Sequence, residues 1–366
     1  MFTVDLLSQI DIPAKCAIRD EVFSQLESRN KFAIWGTGRA GAYGVDQCMK
    51  RGLVPICVCD NFSHAVGETF QSIPLLSADM FFEKYPDCPV LVSCVPGYGV
   101  RRKLKQRSHE FISWDTGLLV NFDSIDPLEK LLSQNQEAVD TVYSLLNDEK
   151  SRKVYENVLL YRLTTDPKYV EEIYEPDIYF HNDIVPNISC GAFVDCGAYN
   201  GDTLSMMQNN DRFDIYYALE PDEENCRLIS QYVKANALKN VVILPCGVWE
   251  EKTELHFDAK TGGAGSVSLD GSYMIKVDTI DHIVTEGREN CFIKMDIEGS
   301  EIPALKGAIH LIHTGRTELA ISIYHHKQDL WEIPLLLHKL LPNHRLYIRH
   351  HTRSLADTVC YALEPK

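Results

Sequence analysis

Three acidic residues stand at the ends of apolar runs, each followed by a turn that could hold a ligand. In VDCGAYNGDT (194–203) Asp195 closes a run, Gly197 and Gly201 turn the chain, and Asn200, Asp202 and Thr203 lead into a helical stretch. Glycines at such a turn let the backbone approach a ligand where a Cβ would collide. Dinucleotide folds use the same turn to seat a pyrophosphate on a helix N-terminus. Here Asp195 and Asp202 would repel a pyrophosphate but suit a cationic sulfonium and an α-amino group, so the implied ligand is S-adenosylmethionine. In ALEPDEENC (218–226) Glu220, followed by Pro221, ends the next run, where a carboxylate can accept both hydroxyls of a ribose. In IKMDIEGSE (293–301) Asp296 ends a further run and is expected beside the methyl to be transferred. Glu298 is expected to face substrate, and Glu301 to sit where a helix macrodipole favours acid.

Two further features belong to the acceptor side. TGGAGS (261–266) is a glycine-rich loop between hairpin-like runs, and its Gly263 and Ser266 are candidate substrate contacts, since loops on rigid scaffolds commonly carry specificity. Tyr324, His325 and His326 end another apolar run; an imidazole there could bind substrate or act as general base. Asp296 and His325 are the catalytic candidates, one of them taking the proton of an acceptor hydroxyl. Asp296, Glu298 and His325 could supply a metal site, but no resident metal is expected. Methyl transfer is an in-line displacement, so alignment alone can supply roughly 7–11 kcal/mol of the barrier.

These residues need a sheet to bring them to one edge. Apolar runs at 192–196, 215–219, 241–248, 291–295, 319–324, 345–350 and 358–363 are separated mostly by helical stretches. The last two, joined only by HTRSLAD, are expected to pair as an antiparallel hairpin. Seven strands ending in a hairpin form the class I methyltransferase pattern, an α/β fold with a Rossmann-like sheet. Upstream, KFAIWGTGRAG (31–41) places Gly36, Gly38 and Gly41 after an apolar run, and Asp60 ends the next. That spacing fits a second, smaller Rossmann-like α/β domain and a candidate nucleotide or nucleotide-sugar site. Between them, no glycine occurs from 118 to 190, and apolar residues recur at helical spacing. The expected layout is an N-terminal domain over 1–125, a helical connector over 126–180 and a methyltransferase domain over 181–366.

The motifs VDCGAYNGDT, ALEPDEENC, NALKNV (236–241), VDTID (277–281) and IKMDIEGSE follow one another in the order and spacing of the FkbM family of S-adenosylmethionine-dependent methyltransferases, which residues 190–326 resemble. IKMDIEGSE is the most specific of them. The resemblance implies O-methylation of a hydroxyl on a sugar, glycan or polyketide-like natural product. Tyr199 departs from the pattern, which more often has a small or Asn-like residue there.

A competing reading puts the activity in the N-terminal turn, as an NAD(P)-dependent oxidoreductase or epimerase, or as a nucleotide-sugar-binding protein. No Tyr-x-x-x-Lys pair follows that turn to support hydride transfer. The chain has 36 Lys+Arg against 52 Asp+Glu, a net charge of −16, which disfavours binding along a phosphate backbone. The one basic cluster, Arg101, Arg102, Lys103, Lys105 and Arg107, reads as a solvated helix face. The scattered cysteines, 12 without a CxxC pair, read as reduced core residues. No secretory n-region opens the sequence and no apolar run approaches the ~18–20 residues of a membrane span. The expectation is a cytoplasmic enzyme with a small-molecule or glycan substrate, no nucleic-acid or membrane partner, and a surface compatible with a homo-oligomer.

Overall fold

The structure is a computed structural model, described here for all residues except 1–4, 63, 116–126, 181–182, 186–187, 208–211, 259–265, 268–272 and 366. It divides into two compact units. One comprises residues 1–140, 153–174 and 352–356, the other 141–152, 175–351 and 357–366. The helical stretch between the two Gly-turn motifs is shared between them.

The first unit carries a sheet of β1 (Ala33–Trp35), β2 (Cys57–Asp60), β3 (Thr69–Phe70), β4 (Ile73–Ser77), β5 (Val90–Val92) and β6 (Phe111–Ser113), in the order β3-β4-β2-β1-β5-β6. All neighbours are parallel except β3 and β4. β1 and β5 are buried throughout, as parallel strands covered on both faces must be. The basic cluster lies on the helix Tyr98–Gln106, but Arg101 is not solvated. It is 4% exposed, and its guanidinium donates to Glu171 at 2.7 and 3.0 Å.

The second unit holds β7 (Ser189–Cys196), β8 (Arg212–Leu219), β9 (Val241–Leu244), β14 (Asn290–Met295), β15 (Arg316–Ser322), β16 (Arg345–His350) and β17 (Thr358–Leu363). Their order, β16-β17-β15-β14-β7-β8-β9, is the expected seven-stranded methyltransferase sheet, parallel except for the antiparallel β17. The chain runs outward from β7 to β9 and returns to β14, so the topological switch point lies between β7 and β14. The apolar run 241–248 is not one strand. Pro245 has no amide for the ladder, β9 stops at Leu244, and β10 (Gly247–Val248) leaves for a second sheet with β11 (Thr253–Asp258), β12 (Ser266–Val267) and β13 (Tyr273–Asp278). The hairpin-like runs around the glycine loop pair antiparallel as β11 and β13.

Register sets the core beneath the site. Phe193 on β7 is opposite Phe292 on β14 and Tyr216 on β8, and the three rings stack at 5.4 and 5.0 Å between centroids. Such pairs add ~0.5–1.5 kcal/mol each beyond the area they bury. Asp195 and Lys294, two residues further along β7 and β14, share the face of this ladder and are sealed by it. At the sheet edge the guanidinium of Arg349, fully buried, binds Asp148 at 2.8 Å and Asp183 at 3.0 Å, tying residues 141–152 to β16. All 12 cysteines are free and most are buried, as small hydrophobes. Among the described residues no helix is long and apolar enough to cross a membrane.

Candidate active site

The exits of β9, β8, β7 and β14 are stitched together by backbone hydrogen bonds from Glu220 N to Leu244 O, Gly197 N to Leu219 O and Asp296 N to Cys196 O. This brings the three acidic strand ends to one edge, where a cavity of about 570 Å³ opens. That is within the ~300–1,000 Å³ of small-molecule sites. Of the residues singled out from the motifs, Gly197, Asp202, Thr203, Glu220, Pro221, Asp296 and Glu298 line it. Asn200 and Gly201 shape the turn without lining the cavity, Ser266 lies in β12, and Gly263 lies outside the described residues. Asp195, His325 and His326 stand behind the wall.

Asp195 is fully buried beside Lys294. Register puts the two opposite each other, 2.9 Å separates carboxylate and ammonium, and Tyr216 Oη donates to the second oxygen at 2.6 Å. The ammonium also donates to the carbonyl of Gly197 at 2.7 Å. Burial opposes its charge, yet Asp195 and Asp296 hold it well above the ordinary lysine value. The pair therefore braces the glycine turn from beneath, with Asp195 acting on it through Lys294. Gly197 adopts φ +78°, and a Cβ there would lie 2.0 Å from the carbonyl oxygen of Asp296. Only glycine fits.

Glu220 is 7% exposed and accepts from the amides of Tyr199 and Asp222, both at 2.9 Å. Burial pushes its carboxyl up, while those donors oppose the shift. Tyr199, with φ +45°, keeps its amide on Glu220 in a left-handed conformation where Asn or Gly is more usual.

At the β14 exit, Asp296 accepts from Tyr179 Oη at 3.1 Å and Tyr324 Oη at 2.9 Å, with His325 Nε2 at 3.3 Å. Burial works against its charge, but His325, Lys294 and Tyr324 hold the carboxyl well below the usual carboxylate range. On the other side of the ring, His325 Nδ1 meets Glu301 at 3.0 Å, and Glu301 is 1% exposed. Burial disfavours the imidazolium, yet Glu301 and Asp296 raise it well above the ordinary histidine value. Donor atoms of Asp296, Glu301 and His325 lie within 4.8 Å of one another. The two carboxylates take opposite ring nitrogens, an arrangement that suits one shared imidazolium. His326 points elsewhere: its amide donates to Asp329 at 2.6 Å and its Nε2 lies 3.3 Å from Gly299 O.

Tyr179, Lys294 and Asp357 are among the cavity residues to which motif reading gave no role. Tyr179 precedes β7, Lys294 sat unremarked inside IKMDIEGSE, and Asp357 immediately precedes β17. Lys294 alone carried a signal, being a lysine within an otherwise apolar strand.

In the first unit, Gly36 and Gly41 serve close packing. A Cβ on Gly36 would lie 2.3 Å from Ser93 O, and one on Gly41 2.0 Å from Gly36 O. Gly38 caps the helix Arg39–Lys50. Asp60 already accepts from Thr37 Oγ1 at 2.6 Å and the Phe62 amide at 2.8 Å, with His64 Nε2 at 2.7 Å.

Residues 195–355 match the family model of the methyltransferase FkbM domain. The crystal structure of methyltransferase FkbM from Methylobacillus flagellatus is similar over 96% of this chain and 99% of its own, with 24% identity and a TM-score of 0.72. Weaker likenesses include a SAM-dependent methyltransferase from Aquifex aeolicus (17% identity, 54% of this chain and 97% of that one, TM-score 0.29). An rRNA methylase from Streptococcus thermophilus is comparable (12%, 56% and 96%, 0.31). No curated protein matches. Residues 195–355 thus carry a methyltransferase FkbM domain, built on the seven-stranded sheet.

Proposed function

We propose that the protein is an S-adenosylmethionine-dependent O-methyltransferase acting on a hydroxyl of a sugar, glycan or natural product. The observation that carries the reading is the charge of the cavity wall. Asp202, Glu220, Asp222, Glu224, Asp296 and Glu298 line it, against Lys294 as the one cation among its described residues. Lys294 is itself neutralised by Asp195. Such a wall repels phosphates and accepts a cation. When bound, S-adenosylmethionine supplies an electrophilic methyl on a sulfonium. Glu220 would hold the ribose hydroxyls, Pro221, Gly247 and Val248 would flank the base, and Asp296 would face the positive charge. Tyr179 and Tyr324 fix the Asp296 carboxylate in place, so its field is set before ligand enters.

Titration calorimetry should show S-adenosylmethionine and S-adenosylhomocysteine binding. A Glu220→Gln variant should bind about tenfold more weakly with an unchanged melting profile, as expected for removing a charged acceptor worth ~1.5–3 kcal/mol. Stabilisation by NAD(P)H or a nucleotide sugar alone would instead favour the N-terminal turn. That rival has less support, because Asp60 already has three local partners.

A further inference from the structure

The cavity contains two aspartates in opposed environments. Asp296 is an anion with a full set of partners: two tyrosine hydroxyls and an imidazolium. A carboxylate so satisfied is a poor proton acceptor. His325, held between Asp296 and Glu301, has both ring nitrogens occupied and does not line the cavity. Asp357 is different. It lines the cavity at the turn into β17, with φ 58°, a conformation Asp tolerates, and its carbonyl accepts from the His351 amide at 2.9 Å.

The charged and titratable groups that act on it come from several elements. They are Asp296 and Lys294 at the end of β14, His325 and Tyr324 after β15, Asp202 after β7, and Tyr179 before β7. Burial and Asp296 push the Asp357 carboxyl up to about 7, with Asp202 adding to the shift and His325 and Lys294 opposing it. Two titratable groups driven apart by their surroundings mark the division of acid–base labour in an active site.

We propose that Asp357 is the general base that takes the proton of the acceptor hydroxyl, while Asp296 stays ionised. The proposal rests on the O-methyltransferase reading above. The acceptor oxygen bonds the methyl carbon as the carbon–sulfur bond breaks onto sulfur, and the hydroxyl proton passes to Asp357, leaving a neutral carboxylic acid. Asp296 remains negative throughout and cannot compete for the proton.

The test uses Asp357→Asn and Asp357→Glu in the full chain. S-adenosylmethionine affinity, methyl transfer from labelled cofactor to a panel of methyl glycosides, and melting temperature against pH are compared with the native protein. The Asn variant should bind the cofactor within about threefold of native but transfer about 10²–10⁴-fold more slowly, the usual contribution of a positioned base. It should also lose the rise of rate with pH through about 7. The Glu variant should recover part of both.

A second readout needs no acceptor. A carboxyl raised on folding contributes stability below its unfolded value and loses it as pH climbs through the folded one. The melting temperature of the Asn variant, relative to native, should therefore rise between about pH 5 and about pH 8. A flat melting difference over that range, or undiminished turnover, overturns the proposal while cofactor binding still supports the functional reading. Failure of the native chain to bind S-adenosylmethionine overturns that reading and this proposal together.

Discussion

A Lys294→Met variant should unfold with about 3–5 kcal/mol less free energy than the native protein, the usual cost of removing one partner from a buried ion pair. The side chains of Lys294 and Asp195 are 2% and 0% exposed and 2.9 Å apart. Methionine matches the length of the lysine stem but leaves the Asp195 carboxylate with Tyr216 alone, and strips a donor from the Gly197 carbonyl. Burial already raises the Asp195 carboxyl against the opposing pull of Lys294 and Tyr216, and loss of the ammonium would raise it further. A group shifted that way stabilises at low pH and loses its contribution as pH rises. The deficit should therefore widen from acid toward neutral pH in urea titrations. Replacing both partners, Lys294→Met with Asp195→Leu, should recover part of the loss, because no charge is then stranded. A single variant within about 0.5 kcal/mol of native, the range of ordinary surface changes, would show that the pair is not ionised as described.

Gly197→Ala should come next in effect. The left-handed conformation costs a non-glycine residue ~1–2 kcal/mol. The new Cβ would also sit 2.0 Å from the Asp296 carbonyl oxygen, so either the turn or the β14 exit must move. Because both line the cavity, the proposed S-adenosylmethionine binding should weaken at least about tenfold, equivalent to ~1.4 kcal/mol. Gly201→Ala is the control. Gly201 has φ +87°, but its Cβ would find only Ile229 at 3.5 Å, an ordinary contact. It should show the conformational cost without the loss of affinity, measured by calorimetry and melting. Equal behaviour of the two variants would remove the steric argument.

Much of the second unit was legible because strand signals are local. Seven apolar runs and a loop too short for a crossover already imply the sheet and its closing hairpin. The one misread run, 241–248, contains Pro245, whose missing amide ends β9 and sends β10 to another sheet. Arg101 was misread for the opposite reason. Its helix has basic character, and only the approach of Glu171, far along the chain, turns one member of the cluster inward.

The sequence by itself determined the alternation of strands and helices, the acidic strand exits and the family motifs, since each is a pattern within a few residues. Tertiary structure decided what those acids do. Asp195 became half of an ion pair because β7 and β14 align it with Lys294. His325 became a shared cation because Asp296 and Glu301 converge on it. Asp357, in a stretch with no motif, reached the cavity on the return into β17. Charge state and exposure depend on neighbours that sheet register draws from distant segments, and no window along the chain contains them.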